Sequence, residues 1–359
     1  SKTLNALVAV VNAFARKGPL LVLVEDLQWA DPSTLEFLDL LVESVSTTSI
    51  LVVLAFRADF EPRWEKQPHF TEIKLPPLNR AESINIIHGV TGGRSLPEDV
   101  LAHILDKTDG VPLFIEELTK LVLEMDLLAV QDGEYALSGP LGSTAIPASL
   151  QDSLRARLDH LGPAKEVAEL ASVLGRSFGH AVLRAVTQKD EEVLDHALKR
   201  LVDSELLYRR GVAPDTVYEF KHALVKDAAY QGLLRSKRRQ LHLETADILE
   251  SHFPKMTERS PELLSYHYKS AGQVEQAIPY SFMAGDAAAA RYAATEAATH
   301  YQSALEMAQS VASPDLSARL QIRAILKLAN VASGLEQIER NLGNLGTART
   351  LVENIGHQI

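Results

Sequence analysis

Glu25 and Asp26 stand side by side at the end of an unbroken apolar run, Leu20 to Val24. Gln28, Trp29 and Asp31 follow, and Pro32 then opens a helical pattern. A short continuous apolar run reads as a strand buried on both faces, as in a parallel sheet. Carboxylates at the carboxyl end of such a strand lie where open α/β sheets bind ligands. Two neighbouring acids can divide the work of phosphoryl transfer. One holds a hard divalent cation, commonly through water, and the other orients or deprotonates the attacking water. The plainer alternative is a strand that ends in two solvated acids. A second apolar run, Ile50 to Phe56, ends in the cation Arg57.

Three further features could carry chemistry. Gly110-Val111-Pro112 breaks a helical stretch, and Pro112 suits the first turn of the next helix. His222 follows an apolar-patterned strand in Phe220-Lys221-His222-Ala223-Leu224. An imidazole there can donate a hydrogen bond to a phosphate, or it can be a capping or core histidine. Arg235, Lys237, Arg238 and Arg239 form a basic run, read as a solvated helix face rather than a phosphate-binding surface. Trp29 reads as packing against the sheet.

The elements that must position these residues follow from periodicity. Leu4, Leu7, Val8, Val11 and Phe14 repeat at helical spacing, and Gly18-Pro19 ends that helix. Leu35, Leu38, Leu41 and Val42 mark a second amphipathic helix from Pro32. Glu72 to Leu75 reads as a third, shorter strand, so the first 78 residues have the strand–helix–strand pattern of a parallel α/β layer. From Asn79 the pattern is helical: Asn79 to about His88, Pro97 to about Lys107, and Leu113 to Leu128. Gly133, Gly139, Pro140, Gly142 and Pro147 mark a loop-rich boundary. Helices over 148–158, 163–174, 179–187 and 190–203 precede a hairpin, Leu206 to Arg210 with Val217 to Phe220, turning around Gly211 and Pro214. Helices followed by a two-stranded wing suggest a winged helix. The remainder, Arg235 to Ile359, is helical and rich in alanine. Ala297, Tyr301 and Ala304 fall at the spacing of the second helix of a tetratricopeptide unit, with Gly285 at the small position of the first. The alternative is a generic helical bundle.

The fold class expected is therefore mixed. A partial α/β core over 1–78 leads to a helical lid over 79–130, a winged helix over 147–234 and an all-α tetratricopeptide-like array over 235–359. The 359 residues suffice for several cores, with 46% hydrophobic and 23% charged residues. The absence of cysteine excludes disulfides and thiolate metal sites and fits a cytoplasmic protein. No stretch has the apolar length of a membrane span. A formal net charge of −11 makes free nucleic acid an unlikely partner.

A phosphate cradle needs a Gly-rich loop with Lys-Ser/Thr, and none occurs. The cluster from Gly89 to Ser95 lacks the lysine and the spacing, and it follows a helix. Since only 19 residues precede Leu20, the expectation is a fragment whose P-loop lies upstream. The motifs LVLVEDLQWADPSTLEFL, LAFRADF, LPPLNRAESINII, GVPLFIEELTKLVLE, IPASLQDSLRARLDHL and FKHALVKDAAYQGLLRSKRRQLH occur in this order. As a set they resemble the ATPase half of bacterial class III adenylate/guanylate cyclases, a STAND-class AAA-type ATPase with a tetratricopeptide region. The first motif looks like a Walker B strand. The resemblance implies that Glu25 holds Mg²⁺, Asp26 handles the attacking water and Arg57 reads the γ-phosphate. It also implies that Gly110 and Pro112 form the Gly-x-Pro turn by the adenine, and that His222 nears the β-phosphate of ADP. The implied function is an ATP/ADP switch with a protein partner on the array. A LuxR-type transcription activator with the same core is one alternative. An interaction scaffold with a dead ATPase is the other.

Overall fold

The structure is a computed structural model that describes residues 2–125, 128–131, 133–138, 147, 149–212, 215–331 and 335–356. In chain order, α1 (Lys2–Ala15), β1 (Leu20–Val24), α2 (Pro32–Val45) and β2 (Ile50–Leu54) come first. Next are α3 (Arg80–Val90), α4 (Glu98–Thr108), α5 (Pro112–Glu124), β3 (Leu128–Gln131) and β4 (Glu134–Leu137). Then follow α6 (Leu150–His160), α7 (Pro163–Leu174), β5 (Ser177–Gly179), α8 (His180–Thr187), α9 (Glu191–Asp203), β6 (Leu207–Arg210), β7 (Val217–Phe220) and α10 (Ala223–Gly232). The chain ends in α11 (Arg235–His252), α12 (Pro254–Arg259), α13 (Pro261–Ala271), α14 (Val274–Ala290), α15 (Ala294–Ala308), α16 (Pro314–Val331) and α17 (Leu335–Gly356).

Contacts divide the chain into two compact units, Ser1–Ile73 with Leu249–Ile359, and Lys74–Ile248. In the first, β1 and β2 pair in parallel with Leu20 opposite Ile50 and Val24 opposite Leu54. One face packs on α1 and α2 around Leu27, Leu38, Leu41, Val42 and the buried Trp64. The other face, with Leu21, Leu23, Leu51 and Val53, is exposed. The expectation of a strand buried on both faces is corrected here: each strand alternates open positions with half-buried ones, and only Ile50 is fully buried. Glu72 to Leu75 forms no strand, and its residues are exposed. Alternating Ile73 and Leu75 gave the apolar signal, but among the described residues nothing pairs with them. In the same unit α13 to α17 each pack on the next helix. A Cβ on Gly285 of α14 would lie 2.3 Å from the Tyr301 ring of α15, so only glycine allows that close approach.

In the second unit, the reciprocal capping box of Asn79 and Glu82 starts α3. Pro112 opens α5, which leaves the helix at Met125 rather than reaching Leu128. The stretch read as loop holds the antiparallel β3–β4 hairpin, turned at Gly133 with φ 86°. Gly139, Pro140, Gly142 and Pro214 of the expected turns lie outside the described residues. Farther on, α6 to α10 surround an antiparallel sheet of order β5-β7-β6. The β6–β7 hairpin falls within a residue of expectation, and the three-residue β5 was not anticipated.

Candidate functional site

Parallel pairing brings the carboxyl ends of β1 and β2 together, and with them Glu25, Asp26 and Arg57. The Ala55 N–H donates to Val24 O at 2.8 Å, and the Leu27 N–H donates to Ala55 O at 3.1 Å. Leu27, 1% exposed, pins the turn that carries the acids. Asp26 sits in the left-handed region with φ 56° and ψ 42° and precedes a single 3-10 turn, Leu27–Trp29. Left-handed backbone in a non-glycine residue is strained, and such residues gather at functional sites. Glu25 and Arg57 are exposed, and Asp26 is half-buried.

Gln28 ties the two strand ends. Its Nε2 donates to Asp26 Oδ1 at 3.0 Å, and its Oε1 accepts from the Arg57 N–H at 3.3 Å. This bridge was not inferred from the sequence. The signal was present, though, as an amide two residues past an acid in an otherwise apolar turn. Trp29 corrects its expectation: the ring is 65% exposed rather than packed on the sheet, and the Arg57 guanidinium lies 5.9 Å from its centroid. A guanidinium within about 6 Å of an indole centroid is attracted by the ring's quadrupole, worth about 0.5–1 kcal/mol at an exposed site. Downstream, Asp31 caps α2 by accepting from the Thr34 N–H at 2.9 Å and hydroxyl at 2.7 Å.

What the arrangement can do follows from its parts. Two acids adjacent in sequence, one amide and one guanidinium stand at the same strand edge, with Glu25 and Arg57 open to solvent. Among the described residues no three His, Cys, Asp or Glu side chains form a metal cage. Mg²⁺ commonly takes one or two carboxylates and completes its shell with water and substrate phosphates. The Glu25–Asp26 pair fits that donor set, and Arg57 supplies the charge that a terminal phosphate would meet.

The remaining expected residues belong to the second unit. Gly110 is buried with φ 73°, and its carbonyl accepts from the Leu78 N–H at 2.8 Å. A Cβ there would lie 2.2 Å from Leu78 O, which accounts for glycine without a ligand. Gly110 also lines a cavity of about 560 Å³ with Pro77, Leu78, Arg80, Ser83 and Asp106. Pro112 does not line that cavity and is exposed at the start of α5. His222 is the N-cap residue of α10, but its side chain makes no capping bond. Its buried Nε2 has no hydrogen-bond partner. Burial lowers the imidazole pKa, with the Glu117 charge on α5 pulling the other way. The basic run lies on α11 with Arg235, Lys237 and Arg239 exposed, as expected of a solvated face, while Arg238 stacks 4.9 Å from the Tyr230 ring.

Against known proteins, a family described as a domain of unknown function (DUF8739) matches residues 79–136. An uncharacterized protein of Rhizobium meliloti (strain 1021) is 28% identical over 341 residues, covering 93% of this chain and 32% of that protein. The chain thus spans about a third of the length of that curated relative. Among solved structures, a Signal Transduction ATPase with Numerous Domains (STAND) protein with a tetratricopeptide repeat sensor, from Pyrococcus horikoshii, aligns at a TM-score of 0.49 with 11% identity. That alignment covers 98% of this chain and 52% of the solved one. Among the described residues no helix is long and apolar enough to cross a membrane.

Proposed function

We propose that the chain is the regulatory half of a nucleotide-dependent switch of the STAND kind, whose acid site handles the γ-phosphate of ATP in the intact protein. The observation that carries this reading is the strained Asp26 beside Glu25, tied through Gln28 to Arg57 at one parallel strand edge. In this reading Glu25 holds Mg²⁺, which neutralises phosphate charge when bound. Asp26 orients the attacking water and takes its proton, and Arg57 stabilises charge at the transferred phosphoryl group. Pro112, Gly110 and His222 are proposed nucleotide contacts of the second unit. The support for His222 is its buried, unpartnered ring nitrogen. The element order of α6 to α10 with the β5-β7-β6 sheet supports a winged helix. The successive packing of α13 to α17, with Gly285 against Tyr301, supports a tetratricopeptide-like array that binds a protein partner. Through the resemblance of its motifs, the attached effector is a nucleotide cyclase, and the site of action is the cytoplasm.

The open face of β1 and β2 and the lack of a Gly-Lys-Ser/Thr loop in these residues lead to a first expectation. The 359-residue chain alone shows no measurable Mg²⁺-dependent ATP turnover, and robust turnover would overturn the assignment of half a site. In the intact protein, Asp26→Asn keeps ATP binding and slows hydrolysis at least about tenfold, the lower part of what general-base assistance contributes. An unchanged rate would move the catalytic role to another acid.

A further inference from the structure

Within the first unit, α2 does more than cover the sheet. It begins at Pro32, immediately after the turn that carries the acids, and it packs against α15 of the array. At that contact the Thr295 hydroxyl donates to Glu36 Oε1 across 259 residues of sequence. Both side chains are half-buried. Glu36 lies one turn into α2 from the Asp31 cap, and the cap lies five residues past Asp26.

The turn that delivers Thr295 to this contact is itself under strain. Tyr292, between α14 and α15, has φ 61°. The Ala293 N–H reaches back to Ala288 O at 3.0 Å and the Tyr292 N–H to Ala289 O at 2.9 Å. This is the six-to-one and five-to-two pairing of a helix C-terminus, whose left-handed position normally takes glycine. Tyr292 occupies it with its ring 79% exposed, so packing of the ring does not offset the strain.

We propose that the Thr295–Glu36 contact is a latch through which the helical array restrains α2 and, by way of the Asp31 cap, the acid-bearing turn of β1. That the latch governs nucleotide turnover rests on the function proposed above. The latch itself does not, and it is tested in the nucleotide-free 359-residue chain.

Thr295→Val removes the donor while keeping the shape, and Glu36→Ala removes the acceptor. One hydrogen bond to a charged group supports an effect of about tenfold. Each variant should therefore speed amide exchange of α2 about tenfold and leave α14 and α16 at wild-type rates. The exposed Trp29 gives a second readout, because acrylamide reaches it far better than the buried Trp64. Its quenching should rise in both variants, and the double variant should add nothing to either single one. Unchanged α2 exchange in both singles overturns the latch, as does faster exchange confined to α15. If α2 exchange rises but turnover of the intact protein does not change, the contact restrains α2 alone and its coupling to the acid-bearing turn is overturned; an intact protein with no ATP turnover at all would overturn the nucleotide reading instead.

Discussion

The molecule handles charge in two opposite ways. At the edge of β1 and β2, Glu25 and Arg57 face water beside the half-buried Asp26, whose backbone is strained. In the second unit Arg157 is 1% exposed and closed in by acids. Its guanidinium donates to Glu117, to Glu124 Oε1 at 2.9 Å and to Ser204 O at 2.8 Å. Burial alone would lower the Arg157 pKa, but the Glu124 hydrogen bonds and the charges of Glu117 and Glu124 raise it overall. Beside it, Lys120 and Lys221 each bridge Glu116 and Glu205. The second cluster satisfies itself, so it joins α5 to α6 and to the α9–β6 turn and calls for no ligand. The first leaves Glu25 and Arg57 exposed beside a strained turn, the condition under which a ligand completes an arrangement. Density of charge is thus a poor guide to a site, and incompleteness is a better one.

The largest expected effect breaks the closed cluster. Arg157→Ala leaves Glu117 buried without its cation and should destabilise the chain by about 3–5 kcal/mol in urea unfolding. Arg157→Met with Glu117→Leu removes both charges and should recover most of that loss. A loss below about 1 kcal/mol for Arg157→Ala would mean the network is as solvated as a surface pair.

The next sets the two left-handed positions against each other. Gly110 and Asp26 share a positive φ, but only Gly110 has backbone 2.2 Å from where a Cβ would stand. Gly110→Ala adds a left-handed penalty and a clash with Leu78, together about 2–3 kcal/mol. A thermal midpoint unchanged by that substitution would show that the α4–α5 turn can move away from Leu78, and the contrast with Asp26 would lapse.

These contrasts also show what could be read in advance. Apolar runs and breakers located β1, β2, α2 to α4 and the β6–β7 hairpin, because those signals are local. The Arg157–Glu117 pair escaped notice because it joins residues 40 apart in sequence, and neither neighbourhood announces the other. Glu72 to Leu75 misled because alternation reports a strand's faces and says nothing of whether a partner exists. The β3–β4 hairpin was hidden by its brevity and by the glycines around it. Of the site, the acid pair and Arg57 were legible as ends of apolar runs. The Gln28 bridge and the left-handed Asp26 were not, since both depend on how the turn folds after the strand ends.

A smaller effect lies in pH. Hydrogen bonds from Lys120 and then Lys221 lower the Glu205 pKa to about 2, from an ordinary 4.5. Between those values the unfolded chain binds more protons than the folded one. The contribution of Glu205 is therefore complete above pH 4.5 and is lost as pH falls toward 2. Because the Glu205 side chain is 57% exposed, the pairing contributes about 1 kcal/mol or less. Glu205→Gln should lower the urea midpoint at pH 6 and converge with wild type near pH 2. A gap that persists in acid would assign the effect to packing of the side chain instead of its charge.

The smallest effect on stability belongs to Asp26, and there the sign matters more than the size. A structural acid stabilises its fold, so removing it costs stability. A strained functional acid does the reverse, because the fold tolerates it for the chemistry. Asp26→Gly keeps the left-handed turn at no steric penalty and gives up the carboxylate's contacts, the Gln28 hydrogen bond among them. Relief of the left-handed strain opposes these losses and the added entropy of the unfolded chain, so the stability should change by less than about 1 kcal/mol. In the intact protein the same variant should lose ATP turnover at least about tenfold, since glycine offers nothing to orient water. Arg157→Ala provides the opposite pattern, a large loss of stability with the acid site untouched. If Asp26→Gly instead unfolds at clearly lower urea, the acid holds the turn together, and the open edge of β1 and β2 becomes as structural as the network around Arg157.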